Sequence, residues 1–225
     1  NSFYITTPIY YVNDVPHIGH AYTNVLADSV ARLRRFLGED VFFLTGTDEH
    51  GEKIQKVAQG KGMEVKTFVD SIVPKFKDLW TILDTKYDFF IRTTDQAHEK
   101  VVTEIVSHLH ENGDIYKGKY VGWYSIKSET FYTFEELVDG KCPDTGGEVQ
   151  KIEEENYFFK LSPHQEWLIQ YIKNTPGFIR PESRRNEILG FLENNKLGDL
   201  CISRPVSRMS WGIPFPGDPE YVIYV

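Results

Sequence analysis

The first third of the chain alternates strand-like and helix-like segments, and this alternation constrains its fold more than any other feature. The segments FYITTPIYYV (3–12) and DVFFLTGT (40–47) are rich in aromatic and β-branched residues, which are typical of buried strands. A helical pattern lies between them over 18–37, and further helical patterns follow. Strands that alternate with helices pair in parallel, so the sequence predicts an α/β fold containing half of a doubly wound, nucleotide-binding sheet.

The first helix is expected to follow a short loop. Asn13 or Asp14 is the predicted cap, Pro16 suits the first turn, and Gly38 is expected to end the helix. Its apolar residues fall on one helical face, which we expect to fix the helix to the sheet. These residues are Ile18, Val25, Leu26, Val30, Leu33 and Leu37.

The sequence changes character near residue 116. The following residues are dense in aromatics, glycines and short alternating runs, which favour small β-hairpins in a separate lobe. Helical patterns return in HQEWLIQYIKN and RRNEILGFLEN, and EYVIYV is typical of a core strand. We therefore predict the first half of a sheet domain at 1–115, an inserted lobe at 116–215, and the start of a return to the sheet domain at 216–225.

Composition limits the class of protein. With 225 residues, 40% of them hydrophobic, the chain can bury a core and is typical of globular proteins. Its net charge of −8 indicates that any RNA would bind a local basic surface, and we expect neither DNA nor a membrane as partner. The two cysteines lie far apart, and neither a signal segment nor a membrane span is recognisable, so we expect a cytoplasmic protein.

His17 and His20 lie three residues apart where the first helix is expected to begin. In a parallel sheet, ligands bind at the carboxyl ends of the strands, and free amides at a helix start favour phosphate. Two imidazoles on one turn add donors, and Gly19 leaves the backbone open to a flat ring such as adenine. The pattern favours a bound nucleotide triphosphate; from these residues alone, the polar start of an ordinary amphipathic helix remains the alternative.

These residues form the HIGH motif, through which the chain resembles the class I aminoacyl-tRNA synthetases. Two segments, TTPIYYVNDVPHIGHAYT and FLTGTDEHGEKIQ, narrow the resemblance to the methionyl-tRNA synthetase family. Five later segments resemble that family in the same order: YKGKYVGWYS, EENYFFKLS, RRNEI, DLCISRP and WGIPFP. The resemblance implies a class I Rossmann-type parallel sheet interrupted by a connective-peptide insertion lobe.

The activity implied by the resemblance is that of a methionine–tRNA ligase. Methionine reacts with ATP, accompanied by Mg²⁺, to form methionyl-adenylate, and the acyl group then passes to the acceptor end of tRNA(Met). The resemblance assigns ATP binding to His17, Gly19 and His20, and makes the two histidines catalytic because they stabilise phosphate charge.

The resemblance also assigns the methionine site. Ile9 and Tyr11 would line the pocket, and Asp48 would bind the substrate ammonium, which suits a carboxylate at the carboxyl end of a parallel strand. Helix capping is the alternative role for Asp48, and simple core packing is the alternative for Tyr11. His50 is interpreted only as a residue that braces its loop.

The insertion departs from many family members, which hold zinc there through four ligands. The matching positions are Ser125, Ser128, Cys142 and Thr145, which leave one soft ligand, so we expect no structural zinc. Packed aromatic residues are expected to stabilise the lobe instead: Trp123, Tyr124, Phe131 and Tyr132.

The KMSKS-type loop of the family has no counterpart here, which indicates an amino-terminal part that is inactive alone. Two alternatives stay open: a fragment that only binds nucleotide or RNA, and another class I synthetase. Interleaved acidic residues favour a solvated face over an RNA surface for the basic residues of 180–208. Those basic residues are Arg180, Arg184, Arg185, Lys196, Arg204 and Arg208.

Overall fold

The computed structural model describes residues 1–128, 130–132 and 134–223. In the first half of the chain it has β1 (Ser2–Thr6), β2 (Tyr10–Tyr11), α1 (Ile18–Phe36), β3 (Asp40–Asp48), α2 (Glu52–Gly60), α3 (Val65–Ile82), β4 (Phe89–Arg92) and α4 (Gln96–Glu111). In the second half it has β5 (Ile115–Ser125), β6 (Thr130–Tyr132), β7 (Gln150–Phe159), α5 (Gln165–Asn174), α6 (Glu182–Asn194), β8 (Leu200–Cys201), β9 (Ser203–Pro205), β10 (Ile213–Phe215) and β11 (Asp218–Ile223).

The first four strands form the predicted parallel sheet. β1 pairs with the first part of β3, β2 pairs with its last two residues, and β4 also pairs with β3 in parallel. At Gly46, an added Cβ would lie 2.1 Å from the carbonyl oxygen of Ile91, so the close approach of β3 and β4 requires glycine there. The predicted α/β class is confirmed.

The face of α1 that meets the sheet differs from the prediction. Ile18 is 87% exposed and Leu33 is 56% exposed, so the apolar stripe faces away from the sheet. The residues buried along α1 are Asn24, Ala27, Asp28 and Ala31, which also recur with helical spacing. Helical spacing alone does not show which face of α1 is covered. Here small residues allow close packing, Oδ1 of Asn24 accepts a hydrogen bond from the hydroxyl of Tyr10, and Oδ1 of Asp28 accepts one from the N–H of Lys86.

The start of α1 also corrects the predicted cap. The capping residue is His17, three positions beyond Asp14, because its imidazole accepts the hydrogen bond that an Asn or Asp side chain would otherwise accept. The predicted end is confirmed: α1 ends at Phe36, and Gly38 has a φ of +81°, the left-handed conformation typical of the residue after a helix.

The second half forms two antiparallel sheets and a helical pair. β6, β5, β7 and β8 lie side by side in one sheet, and β5 pairs with β7 over ten residues, Ile115 to Tyr124. α5 and α6 pack together through Ile169, Ile172 and Leu192. β11 is the strand predicted for EYVIYV; in the described part of the chain it pairs with β9 and β10 and not with the parallel sheet.

The aromatic residues predicted to stabilise the inserted lobe are buried to different degrees. Tyr124 and Tyr132 are buried, while Trp123 is half-buried and contacts Phe134. The side chain of Phe131 lies outside the described residues. None of the helices in the described part of the chain has the length and apolar content needed to span a bilayer.

Candidate functional site

Strand pairing brings two of the candidate methionine residues together. Tyr11 lies opposite Asp48 in the β2–β3 register, and the backbone N–H of Val12 donates to the carbonyl oxygen of Asp48 over 3.3 Å. Both side chains are half-buried, and Ile9, just before β2, is 39% exposed. Because β2 and β3 are parallel, all three residues lie near the carboxyl end of the sheet.

The two histidines cap α1 reciprocally. The N–H of Gly19 donates to Nδ1 of His17 over 3.1 Å, and the N–H of His17 donates to Nδ1 of His20 over 3.0 Å. The two rings stack with centroids 3.8 Å apart. Since each Nδ1 accepts a hydrogen bond, the ring proton of each histidine lies on Nε2, which leaves one N–H donor on each ring for a ligand.

Gly19 is required by the histidine itself. An added Cβ at this position would lie 2.9 Å from Cε1 of His17 and 3.1 Å from its Nδ1. A larger residue would therefore displace the capping imidazole. From the sequence, Gly19 was interpreted as leaving the backbone open to a flat ring. That interpretation missed the contact with His17 as a reason for the glycine.

Tyr10 links the helix start to the sheet, and sequence reasoning missed it as a site residue. Its ring packs edge-on against the ring of His20, with the two centroids 4.9 Å apart. Its buried hydroxyl donates to Oδ1 of Asn24 over 3.0 Å. Burial, together with the nearby His17, lowers the pKa of His20, so His20 is a neutral donor at pH 7. Tyr10 does lie in the core, as the strand-like pattern around it predicts, and only its contact with His20 connects it to the site.

Glu49 is the second residue that sequence reasoning missed. It is fully buried directly after β3, and Nε and Nη2 of Arg92 donate to its two carboxylate oxygens over 2.7 and 2.8 Å. The hydroxyls of Thr47 and Thr94 also donate to it. Arg92 additionally contacts Asp70. This network fixes the loop that follows Asp48, and its charged partner Arg92 lies too far along the chain for a motif to reveal it.

The segment just before β10 contacts the same loop. The indole N–H of Trp211 donates to the carbonyl oxygen of Glu49, and the N–H of Gly51 donates to the carbonyl oxygen of Trp211 over 3.4 Å. The rings of His50 and Trp211 lie 5.6 Å apart, and His50 is buried. These contacts support the interpretation that His50 braces its loop.

The structure corrects the interpretation of two of the basic residues that were considered as RNA contacts. Arg204 is only 2% exposed, and the side chain of Arg208 is 15% exposed and paired with Glu52 and Glu154. A guanidinium that is buried and paired is not available to phosphate, so neither residue belongs to an RNA surface. The alternation of basic and acidic residues did not distinguish these two from solvated side chains.

The four positions that replace the zinc ligands do converge. Oγ of Ser128 lies 3.6 Å from Sγ of Cys142 and 3.0 Å from the hydroxyl of Tyr132, whose proton is donated to Asp144 over 2.7 Å. Burial opposes ionisation of Cys142, but hydrogen bonds with Thr145, Tyr132, Ser128 and Ser125 lower the pKa of its thiol to about 6. Within the described ranges, His, Cys, Asp and Glu do not gather in groups that could hold a metal ion.

Comparisons with known proteins show which proteins this chain is similar to. The sequence matches the family described as tRNA synthetases class I (M) over residues 3–152 and 145–225. It is 55% identical to a methionine–tRNA ligase of Caldanaerobacter subterraneus and 53% identical to one of Clostridium acetobutylicum. These matches cover 100% and 99% of this chain but 35% and 34% of the relatives, so the chain spans about a third of their length.

Solved structures from Mycobacterium tuberculosis are similar as well. Methionyl-tRNA synthetase in complex with methionyl-adenylate has a TM-score of 0.93 at 40% identity, covering 99% of this chain and 44% of that one. The apo form of that synthetase has a TM-score of 0.78 at 38% identity, covering 100% and 43%. The alternative of another class I synthetase finds no support in these matches.

Proposed function

Because the chain belongs to the family of class I tRNA synthetases (M), we propose that the protein activates methionine with ATP and transfers the methionyl group to tRNA. The observation that carries the proposal is the convergence of two candidate sets. The β2–β3 pairing holds Tyr11 beside Asp48, and the capped start of α1 presents His17 and His20 at the same end of the sheet through Tyr10.

The α1 start is proposed as the ATP site. In the activation step a methionine carboxylate oxygen bonds to the α-phosphorus, the bond to the bridging oxygen breaks, and pyrophosphate leaves. Charge grows on the phosphate oxygens, and the Nε2–H donors of His17 and His20 would stabilise it. Gly19 contributes by keeping His17 in its capping position. Magnesium would enter with ATP as part of the substrate, and we assign no residue of this chain to it.

The end of β3 is proposed as the methionine site. Asp48 would accept hydrogen bonds from the substrate ammonium, a charge-assisted interaction that contributes about 1.5–3 kcal/mol. Ile9 and Tyr11 supply apolar surface beside it for the methionine side chain. The buried pairing of Glu49 with Arg92 supports this role, because a loop held by several charged contacts keeps the carboxylate of Asp48 in place.

The inserted lobe is proposed to face the acceptor end of tRNA(Met). With Arg204 and Arg208 excluded, the remaining basic candidates are Arg180, Arg184, Arg185 and Lys196. The convergence of hydroxyls on Cys142 supports a lobe that folds without zinc, since hydrogen bonds replace ligand bonds there. We propose the cytoplasm as its location, because the substrates are those of protein synthesis.

Pyrophosphate exchange into ATP tests the proposal in the intact protein. Exchange that depends on methionine, and that isoleucine and glutamine do not support, is the expected result. His20→Ala should lose this exchange while retaining the fold. Exchange that depends on another amino acid, or no exchange with any, would contradict the proposed function.

A further inference from the structure

Arg208 joins the two lobes at a buried point. Its Nη2 lies 3.1 Å from a carboxylate oxygen of Glu52 at the start of α2, and its Nη1 lies 2.7 Å from a carboxylate oxygen of Glu154 in β7. The guanidinium also lies over the ring of Tyr124 in β5, 3.9 Å from the centroid. One side chain therefore contacts both the sheet domain and two strands of the inserted lobe.

The residues after Arg208 continue this connection to the loop at the candidate methionine site. We call residues 208–213 the strap. Oε1 of Gln55 in α2 accepts the backbone N–H groups of Ser210 and Trp211 over 3.0 and 3.1 Å. Trp211 in turn bonds to Glu49 and Gly51, which directly follow Asp48.

Two carboxylates meet at this point, and Arg208 contacts both of them, whereas Lys56 contacts Glu52. The side chains of Glu52 and Glu154 are 6% and 10% exposed, and Arg208 faces both. Arg208 and Lys56 hold the pKa of Glu52 low against the effect of burial, so its carboxylate is ionised at neutral pH. Without the guanidinium, the carboxylate of Glu154 would lose the ion pair with Arg208 and Glu52 would keep only its pair with Lys56, which would destabilise the contact between the lobes.

We propose that Arg208 is a positioning residue that sets the affinity for methionine from the inserted lobe. Through the strap it fixes the loop 49–51, and thereby the carboxylate of Asp48, relative to β7. This inference rests on the proposed function. Lysine could not replace Arg208, because a single ammonium cannot contact two carboxylates and stack on Tyr124 at once.

The decisive variant lies in the inserted lobe, far from the loop in sequence. Glu154→Gln removes the charge of one of the two carboxylates that contact Arg208, and it leaves the residues of the strap, the loop and Glu52 unchanged. Glu153→Gln is the matched control, because it makes the same change at an exposed position of the same strand. In the intact protein we expect Glu154→Gln to raise KM for methionine by about fivefold or more, with KM for ATP and kcat within about twofold.

A second readout does not depend on catalysis. Hydrogen exchange measured in segments covering 48–56 should quicken in Glu154→Gln and not in Glu153→Gln, because the amide of Gly51 donates to Trp211 and the strap also bonds to Glu49 and Gln55. Equal KM values for methionine in the two variants, or equal exchange, would overturn the role of Arg208. Absence of pyrophosphate exchange in the wild type would instead overturn the proposed function, and the hydrogen-exchange comparison would still decide the positioning role.

Discussion

The start of α1 and the loop after β3 face the same end of the sheet but are held in opposite ways. The histidines of α1 are held by hydrogen bonds within a single turn, and His17 stays exposed. The loop after β3 is buried, and its contacts come from Arg92 and Trp211, 43 and 162 residues away. Histidines proposed to bind phosphate must keep a donor accessible, whereas a loop proposed to hold one carboxylate in place can be buried and fixed.

The largest expected effect comes from a substitution in the buried loop after β3. Glu49→Gln leaves Arg92 without its buried carboxylate, and we expect the free energy of unfolding to fall by about 3–5 kcal/mol. Urea denaturation of the intact protein measures it. Asp70→Asn is the matched control, because Asp70 contacts the same guanidinium but its side chain is 44% exposed; its loss should be at most about 1 kcal/mol. Equal losses would mean that burial of Glu49 is not what fixes the loop.

The next largest effect is expected from a substitution at the start of α1, where the histidines are held within one turn. His20→Ala removes a donor from the proposed phosphate site, which should cost about 2–4 kcal/mol of transition-state stabilisation, on the order of a hundredfold or more in rate. Stability should fall by only about 1 kcal/mol, because the change removes one capping bond. Steady-state pyrophosphate exchange and urea denaturation separate the two. Ser29→Ala, on the same helix, should leave both unchanged, and full activity in His20→Ala would refute the assignment.

A pH series sharpens the comparison further. The pKa of His20 is lowered in the folded protein, so the unfolded chain binds more protons as pH falls below 6.5. Stability should therefore rise with pH up to about 7 and be lost progressively below that value. His20→Gln should reduce this slope in urea titrations at several pH values. A slope unchanged by the substitution would show that His20 is not the group responsible.

The smallest expected effect concerns metal removal. If hydrogen bonds to Cys142 replace a zinc site, a chelator should change Tm by less than about 1 °C, since no ligand bonds are lost. Thermal denaturation with and without EDTA tests this, and elemental analysis provides the control. One zinc per chain would contradict the proposal.

The sequence was most informative where structure is local. The alternation of strands and helices predicted the parallel sheet, and the spacing of His17 and His20 placed both on the first turn of α1. It failed where a choice depended on distant partners: which face of α1 is covered, and which basic residues are free. Arg208 and Glu49 look like ordinary charged residues in the sequence, because their charged partners are distant in sequence and become neighbours only when the chain folds.

A crystal structure of the intact protein with methionine and a non-hydrolysable ATP analogue tests the central claim most directly. The account predicts the methionine ammonium within hydrogen-bond distance of Asp48 and phosphate oxygens on Nε2 of His17 and His20. Ligands bound elsewhere, or phosphate held without either histidine, would contradict it.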